Sequence, residues 1–249
     1  MHAMLTRPLA LIAAITAITA TAATPAQAHA YTASGTLYKS ADLCVRGYHS
    51  MRHRSPDAHG GWIDVRTYSA TRNFPVPPVP VVHCSVYWPR PALNIRMNVN
   101  WMVWYNTGSG FAWGLCKQTG WVYNRYSSVT LAMNVLYATA QCGNAWYLSL
   151  SMHGVANSGW YGGELVPSDS HWYPDYGSGK TSEAPPEVPD ALPARAPVIG
   201  PDGQPVLDQH GAPVMADTAP PADMTASPSE HHTVTDSDGY VHETVDITE

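Results

Sequence analysis

From Leu93 to Asn106 apolar and polar residues alternate. Leu93, Ile95, Met97, Val99, Trp101, Val103 and Tyr105 fill one set of positions. Asn94, Arg96, Asn98, Asn100, Met102, Trp104 and Asn106 fill the other. Side chains along a strand point alternately to opposite faces, so this spacing predicts a strand with one buried face. Val129, Leu131, Met133, Val135 and Tyr137 alternate with Thr130, Ala132 and Asn134 in the same way. A third run sets Trp146, Leu148, Leu150 and Met152 against Tyr147, Ser149, Ser151 and His153, and the first set is expected to face the core. Phe111–Cys116 and Trp121–Tyr126 flank Lys117-Gln118-Thr119-Gly120, which reads as a hairpin loop. Weaker strand patterns cover Gly35–Lys39, Leu43–Tyr48, Trp62–Tyr68, Val81–Trp88 and Gly159–Leu165. Many short strands separated by turn residues predict an all-β domain, an antiparallel sandwich or barrel.

The pattern holds over residues 31–176 and changes at both ends. Residues 1–30 carry one charge, Arg7, then an apolar run from Leu9 through Ile15, and Pro25 before small residues. That is the layout of a secretory signal peptide. Cleavage is expected after Ala30, with Ala28 as the alternative. The apolar run is rich in Thr and falls short of the about 20 residues a spanning helix needs, so no membrane anchor is expected. Residues 177–249 hold two Lys/Arg, thirteen Asp/Glu, eleven Pro and one aromatic residue, Tyr240. So little apolar surface predicts a disordered acidic, proline-rich tail. Within it, Gly200–Leu207 and Asp208–Met215 form an imperfect eight-residue repeat.

The middle piece holds all four cysteines, all nine Trp and both Phe. It has ten Lys/Arg against six Asp/Glu, a net of +4 with His neutral. A domain of this size buries roughly two thirds of its chain surface and needs no partner to fold. An even set of cysteines in an exported chain predicts two disulfides. Three connectivities are open to Cys44, Cys84, Cys116 and Cys142; Cys44–Cys84 and Cys116–Cys142 are the expected pairs, each closing a moderate loop within one half of the domain. No C-x-x-C spacing suggests zinc.

Local catalytic signatures are absent. There is no H-E-x-x-H, no G-x-S-x-G, no Walker loop and no G-x-G-x-x-G, so no cofactor is expected and a non-catalytic role is favoured. Between Arg66 and Gly163 the chain has no Asp or Glu. A secreted hydrolase would have to assemble dispersed carboxylates such as Asp42, Asp57, Asp64 and Glu164. One cluster offers metal chemistry: His49, His53 and His59, near Asp57, could bind Zn²⁺ or Cu²⁺ as neutral imidazoles if a loop gathered them. Arg52 and Arg54 oppose this, and a polar loop is the simpler reading. Cleavage after Ala28 would leave His29 first. With a second histidine such as His83 or His153, its amine and imidazole would resemble the histidine brace of lytic polysaccharide monooxygenases.

Aromatic composition points elsewhere. All nine Trp and all but one of the fourteen Tyr precede the tail. Such rings join an apolar body to a polar tip and suit half-wet surfaces. Arg96, Asn98, Trp104 and Tyr147 are therefore the expected ligand-binding residues, on a sheet face of amides and rings. The expected partner is an extracellular or cell-envelope glycan or protein. With a net of only +4 beside an acidic tail, nucleic acid is not expected.

Overall fold

The computed structural model describes residues 30–40, 43–53, 62–73, 84, 86–138, 141–166, 170–173, 193–224 and 230–248. These residues form fifteen strands and no helix. In chain order they are β1 (Ala30–Lys39), β2 (Cys44–His53), β3 (Trp62–Asn73), β4 (Val86–Tyr87), β5 (Ile95–Asn106), β6 (Phe111–Gln118), β7 (Val122–Tyr123) and β8 (Thr130–Ala138). There follow β9 (Ala145–Ala156), β10 (Trp160–Leu165), β11 (His171–Tyr173), β12 (Arg195–Pro197), β13 (Met215–Asp217), β14 (Glu230–Thr235) and β15 (Val241–Thr248).

Two sheets pack face to face. The first runs β1-β2-β3-β8-β15-β14, with β4 on the end of β3; the second runs β10-β9-β5-β6, with β7 on β5 and β11 on β9. The expected all-β, disulfide-braced fold is thus a sandwich rather than a barrel. It is mixed rather than wholly antiparallel, because β15 pairs with β8 in parallel, His242 opposite Thr130. The alternation predicted the core well. Ile95, Met97, Val99, Trp101 and Val103 from β5 meet Leu131, Met133 and Val135 from β8 and Val45 and Met51 from β2. Cys44–Cys84 and Cys116–Cys142 are the two bridges, with Cα atoms 5.8 and 5.9 Å apart.

Three expectations change. First, β6 and β7 do not form a hairpin; they follow one another along the same edge of β5, with Gly120 between them at φ +72°. Second, His49 to His53 continue strand β2 instead of forming a loop, because Val45, Gly47, His49 and Met51 keep the period of two. Third, β9 faces the opposite way from its hydrophobic reading. Tyr147, Ser149, Ser151 and His153 point between the sheets, while Leu148, Leu150 and Met152 join a second apolar cluster with Met102, Leu115 and Trp121. Both faces of β9 are buried, so apolarity alone could not choose between them.

What covers that second face is the C-terminal region itself. Residues 193–224 and 230–248 are ordered, so the expectation of a disordered tail does not extend to them; residues 174–192 and 225–229 lie outside the described residues. The eight-residue repeat builds two equal turns, Gly200 to Gln204 and Asp208 to Ala212. They bring Val198, Val206 and Val214 together, each backbone N–H donating to the carbonyl of the next at 2.8 Å. Ile199 then packs on Gly114, where even a Cβ would collide with the Ile199 side chain. The region needs few apolar residues of its own. Ala196, Ile199, Pro220, Val245 and Ile247 are its buried ones, and they dock on faces that already exist.

Candidate functional site

The outer face of the first sheet carries an open cleft of about 410 Å³. Its lining comes from five adjacent strands and β4: Ser34 of β1, Arg46 and Tyr48 of β2, Arg72 of β3, Tyr87 of β4, Thr130 of β8, and His242 of β15. Small residues, Ala70 and Ala132, make the floor between taller neighbours. The strand period explains the set. On β2, Val45, His49 and Met51 are buried between the sheets, so Arg46 and Tyr48 must face out. On β15, Glu243, Val245 and Ile247 are buried, which turns His242 and Thr244 outward.

The walls are held by specific contacts. The Cys44–Cys84 bridge ties the segment before β4 to β2, and Arg72 Nη1 donates to the Cys84 carbonyl at 3.2 Å. The Arg72 guanidinium also lies 4.3 Å from the centre of the Tyr87 ring, a cation–π contact. Tyr87 meets Tyr240 and His242 edge-on at 5.5 and 5.6 Å. Thr130 Oγ1 and His242 Nδ1 are 2.9 Å apart, and His242 Nε2 lies 2.9 Å from Asp236 Oδ2. That hydrogen bond, with those from the backbone of Tyr240 and Asp238, lowers the Asp236 pKa. No lining residue is acidic. Two guanidiniums, two phenol rings, an imidazole and several hydroxyls suit an anionic ligand with a flat or hydroxylated body.

The residues expected to bind ligand lie on or under the second sheet and do not share one open surface. Tyr147 is buried in the core, stacked on Trp101 at 4.9 Å, its hydroxyl donating to the Gly143 carbonyl at 2.6 Å; burial pushes its pKa up. Asn98 is fully buried and donates to Thr119 Oγ1 and the Gly120 carbonyl. Arg96 is clamped between the Trp121 and Trp160 rings at 4.0 and 4.1 Å. Trp104 stands apart, tilted 5.2 Å from Trp113, beside a smaller hollow of about 230 Å³.

The histidines are also dispersed. His49 is fully buried between the sheets, with Nε2 3.2 Å from Ser149 Oγ. Next to it His153 Nε2 lies 2.7 Å from Ser151 Oγ. Burial lowers both pKa values to about 3, and for His153 the neighbouring His49 lowers it further. A buried His153 does not present itself for an N-terminal brace, and His29 and His83 lie outside the described residues. So do the His53 side chain and all of His59. Among the described residues no three His, Cys, Asp or Glu side chains gather as metal ligands. Of the dispersed carboxylates, Glu164 sits on β10; Asp42, Asp57 and the Asp64 side chain lie outside the described residues.

Sequence reasoning missed the cleft. Arg46, Tyr48, Arg72 and Tyr87 lie in strands whose pattern was weak, and His242 lies in the acidic tail. A signal existed there: Val241, Val245 and Ile247 alternate with His242, Thr244 and Asp246, but composition averaged over the tail hides it. No family model, curated protein or solved structure matches this chain.

Proposed function

We propose that this is a non-catalytic binding protein of the extracellular space or cell envelope, and that its ligand is an acidic glycan held in the cleft of the first sheet. The observation that carries the reading is the pairing of Arg46 and Arg72 with Tyr48 and Tyr87 around a floor of small residues, with no carboxylate in the lining. Guanidiniums bind carboxylates through paired hydrogen bonds, and phenol rings offer platforms with a polar tip. An exported chain fits the paired cysteines, which need an oxidising compartment, and the segment Met1 to Ala30 supplies the export signal. Among the described residues no helix is long and apolar enough to cross a membrane.

Calorimetric titration with tetragalacturonate, its neutral counterpart α-1,4-galactotetraose and tetraglutamate tests this. The acidic sugar binds, the neutral sugar does not, and the combined Arg46→Ala/Arg72→Met variant loses at least about tenfold in affinity, 1.4 kcal/mol. Tight binding of tetraglutamate alone would replace the glycan with an acidic protein segment. Equal binding of acidic and neutral sugars, unchanged in the variant, would remove the cleft from the account.

One observation favours a second reading, a hydrolase. Thr130, His242 and Asp236 stand in the order of nucleophile, base and orienting acid, each link 2.9 Å. Thr130 Oγ1 would attack an ester carbonyl while its proton passes to His242 Nδ1; the departing alcohol would take that proton, and a water deprotonated by His242 would then hydrolyse the acyl–Thr130 ester, releasing the acid and restoring the hydroxyl. A fluorophosphonate that modifies Thr130, and fails to do so in His242→Gln, supports this reading; an unmodified protein removes it.

A further inference from the structure

The outer face of the second sheet grips a proline-containing segment through its main chain. Gln118 Nε2 donates to the carbonyls of Asp217 and Thr218 at 3.2 and 3.0 Å, and Asn100 Nδ2 donates to Thr218 at 2.7 Å. The Trp121 indole N–H donates to the Pro220 carbonyl at 2.7 Å, and the Tyr123 hydroxyl to that of Ala222 at 3.1 Å. The backbone N–H of Trp121 meets the Met224 carbonyl at 2.7 Å. Every one of these donors belongs to β5, β6 or the residues leading into and forming β7, and every acceptor is a carbonyl of residues 217–224.

Such a readout favours one kind of peptide. Proline has no N–H to leave unsatisfied, and its fixed φ suits both Pro220 and the turn that follows, in which the Met224 N–H donates to the Pro221 carbonyl at 3.0 Å. Side-chain donors on an aromatic surface then recognise the backbone without needing particular side chains, as in other proline-reading grooves. The surface is rigid: Arg96 is packed between Trp121 and Trp160, and Trp160 meets Tyr123 at 6.0 Å. The occupant is held by its carbonyls and leaves most of its side chains in solvent. Within residues 217–224 only Thr218 and Pro220 are buried, while Asp217, Ala219 and residues 221–224 are exposed.

We propose that this face is a binding site for proline-rich peptides, that residues 217–224 fill it in cis, and that a proline-rich segment of another protein enters by displacing them. The site is separate from the cleft of the first sheet and stands whether or not that cleft binds a glycan. Tethering gives the chain's own segment a high effective concentration, so an outside peptide binds the native protein weakly and binds strongly once the tethered segment is loosened.

The probe is a labelled peptide of the sequence Met215 to Met224, followed by fluorescence anisotropy. It is titrated into the full-length protein and into a full-length Pro220→Gly/Pro221→Gly variant whose near-UV dichroism shows a folded core. The variant binds at least tenfold more tightly than the native protein. Adding Tyr123→Phe weakens that binding about threefold or more, and a peptide with both prolines changed to glycine does not bind. Equal affinity for native protein and variant, or binding indifferent to the prolines, overturns the proposal. If the double variant loses its near-UV signal, Pro220→Ala alone gives the same test: tighter peptide binding supports the proposal, and unchanged binding overturns it.

Discussion

The two sheets of the sandwich both have polar, aromatic outer faces, with opposite fates. On the second sheet, Asn98, Asn100, Gln118, Trp121 and Tyr123 lie under the protein's own C-terminal region, and most of their donors end on backbone carbonyls there or in the neighbouring loop. On the first sheet, Arg46, Tyr48, Arg72, Tyr87 and His242 surround a cleft that nothing among the described residues covers. A polar, aromatic sheet face is therefore not a ligand site by itself. Amides and indoles can be consumed by the chain, since every buried carbonyl needs a donor. The cationic face stays open. The same C-terminal region that closes one face completes the other, because β15 contributes His242 and Thr244 to the cleft.

The largest expected effect strikes both faces together, through the core they share. His49 and His153 are neutral in the fold with pKa values near 3, below the unfolded value of 6.5. The unfolded chain takes up protons first, so the stability these rings contribute is complete above about pH 6.5 and falls as pH drops toward 3. The loss at the acid end is on the order of 5 kcal/mol for a ring shifted this far. Urea unfolding at pH 7 and pH 4 measures it; a midpoint that does not fall between them contradicts the buried pair.

The next effect separates the faces from the side of the first sheet. Glu243 is buried and accepts from the backbone N–H groups of Arg125 and Tyr126 and from His231. Glu243→Ala strands those donors and lowers stability by about 2–3 kcal/mol. It loosens β15 and so weakens acidic-glycan binding as well. On the other face, Asn100→Leu removes the donor to Thr218 and costs about 1–2 kcal/mol. Hydrogen exchange accelerates at residues 217–224 while glycan affinity stays unchanged. The smallest stability effect belongs to Arg72→Met, below about 1 kcal/mol for the lost ring contact. Yet it lowers glycan affinity severalfold, a split that thermal melting and calorimetry on the same sample can read.

Much of this was legible in the chain. The period of two fixed β5 and β8 nearly to their ends, and cysteine spacing favoured the bridges that form. The inward set on β5 was right because only one of its faces matches the sandwich interior. β9 was not legible, because Leu148 and Leu150 serve a cluster created by the C-terminal region while Ser149 and Ser151 each meet the Nε2 of one buried histidine inside. In the C-terminal region, average composition hides the order of residues 193–224 and 230–248. Its order comes from hydrogen bonds to waiting side chains and from a few buried residues such as Ile199 and Val245, which a tally of prolines and acids does not register. The cleft was illegible for a related reason: its residues are distant in sequence, and His242 and Thr244 join the rest only when β15 pairs with β8.

Amide NMR during titration with tetragalacturonate tests the contrast between the faces most directly. The account predicts shifts at Arg46, Tyr48, Ala70, Arg72, Ala132 and Thr244 that fade with added salt, while Asn100, Gln118, Trp121 and Tyr123 stay unmoved. Shifts centred on the second set, with the first unmoved, would contradict it.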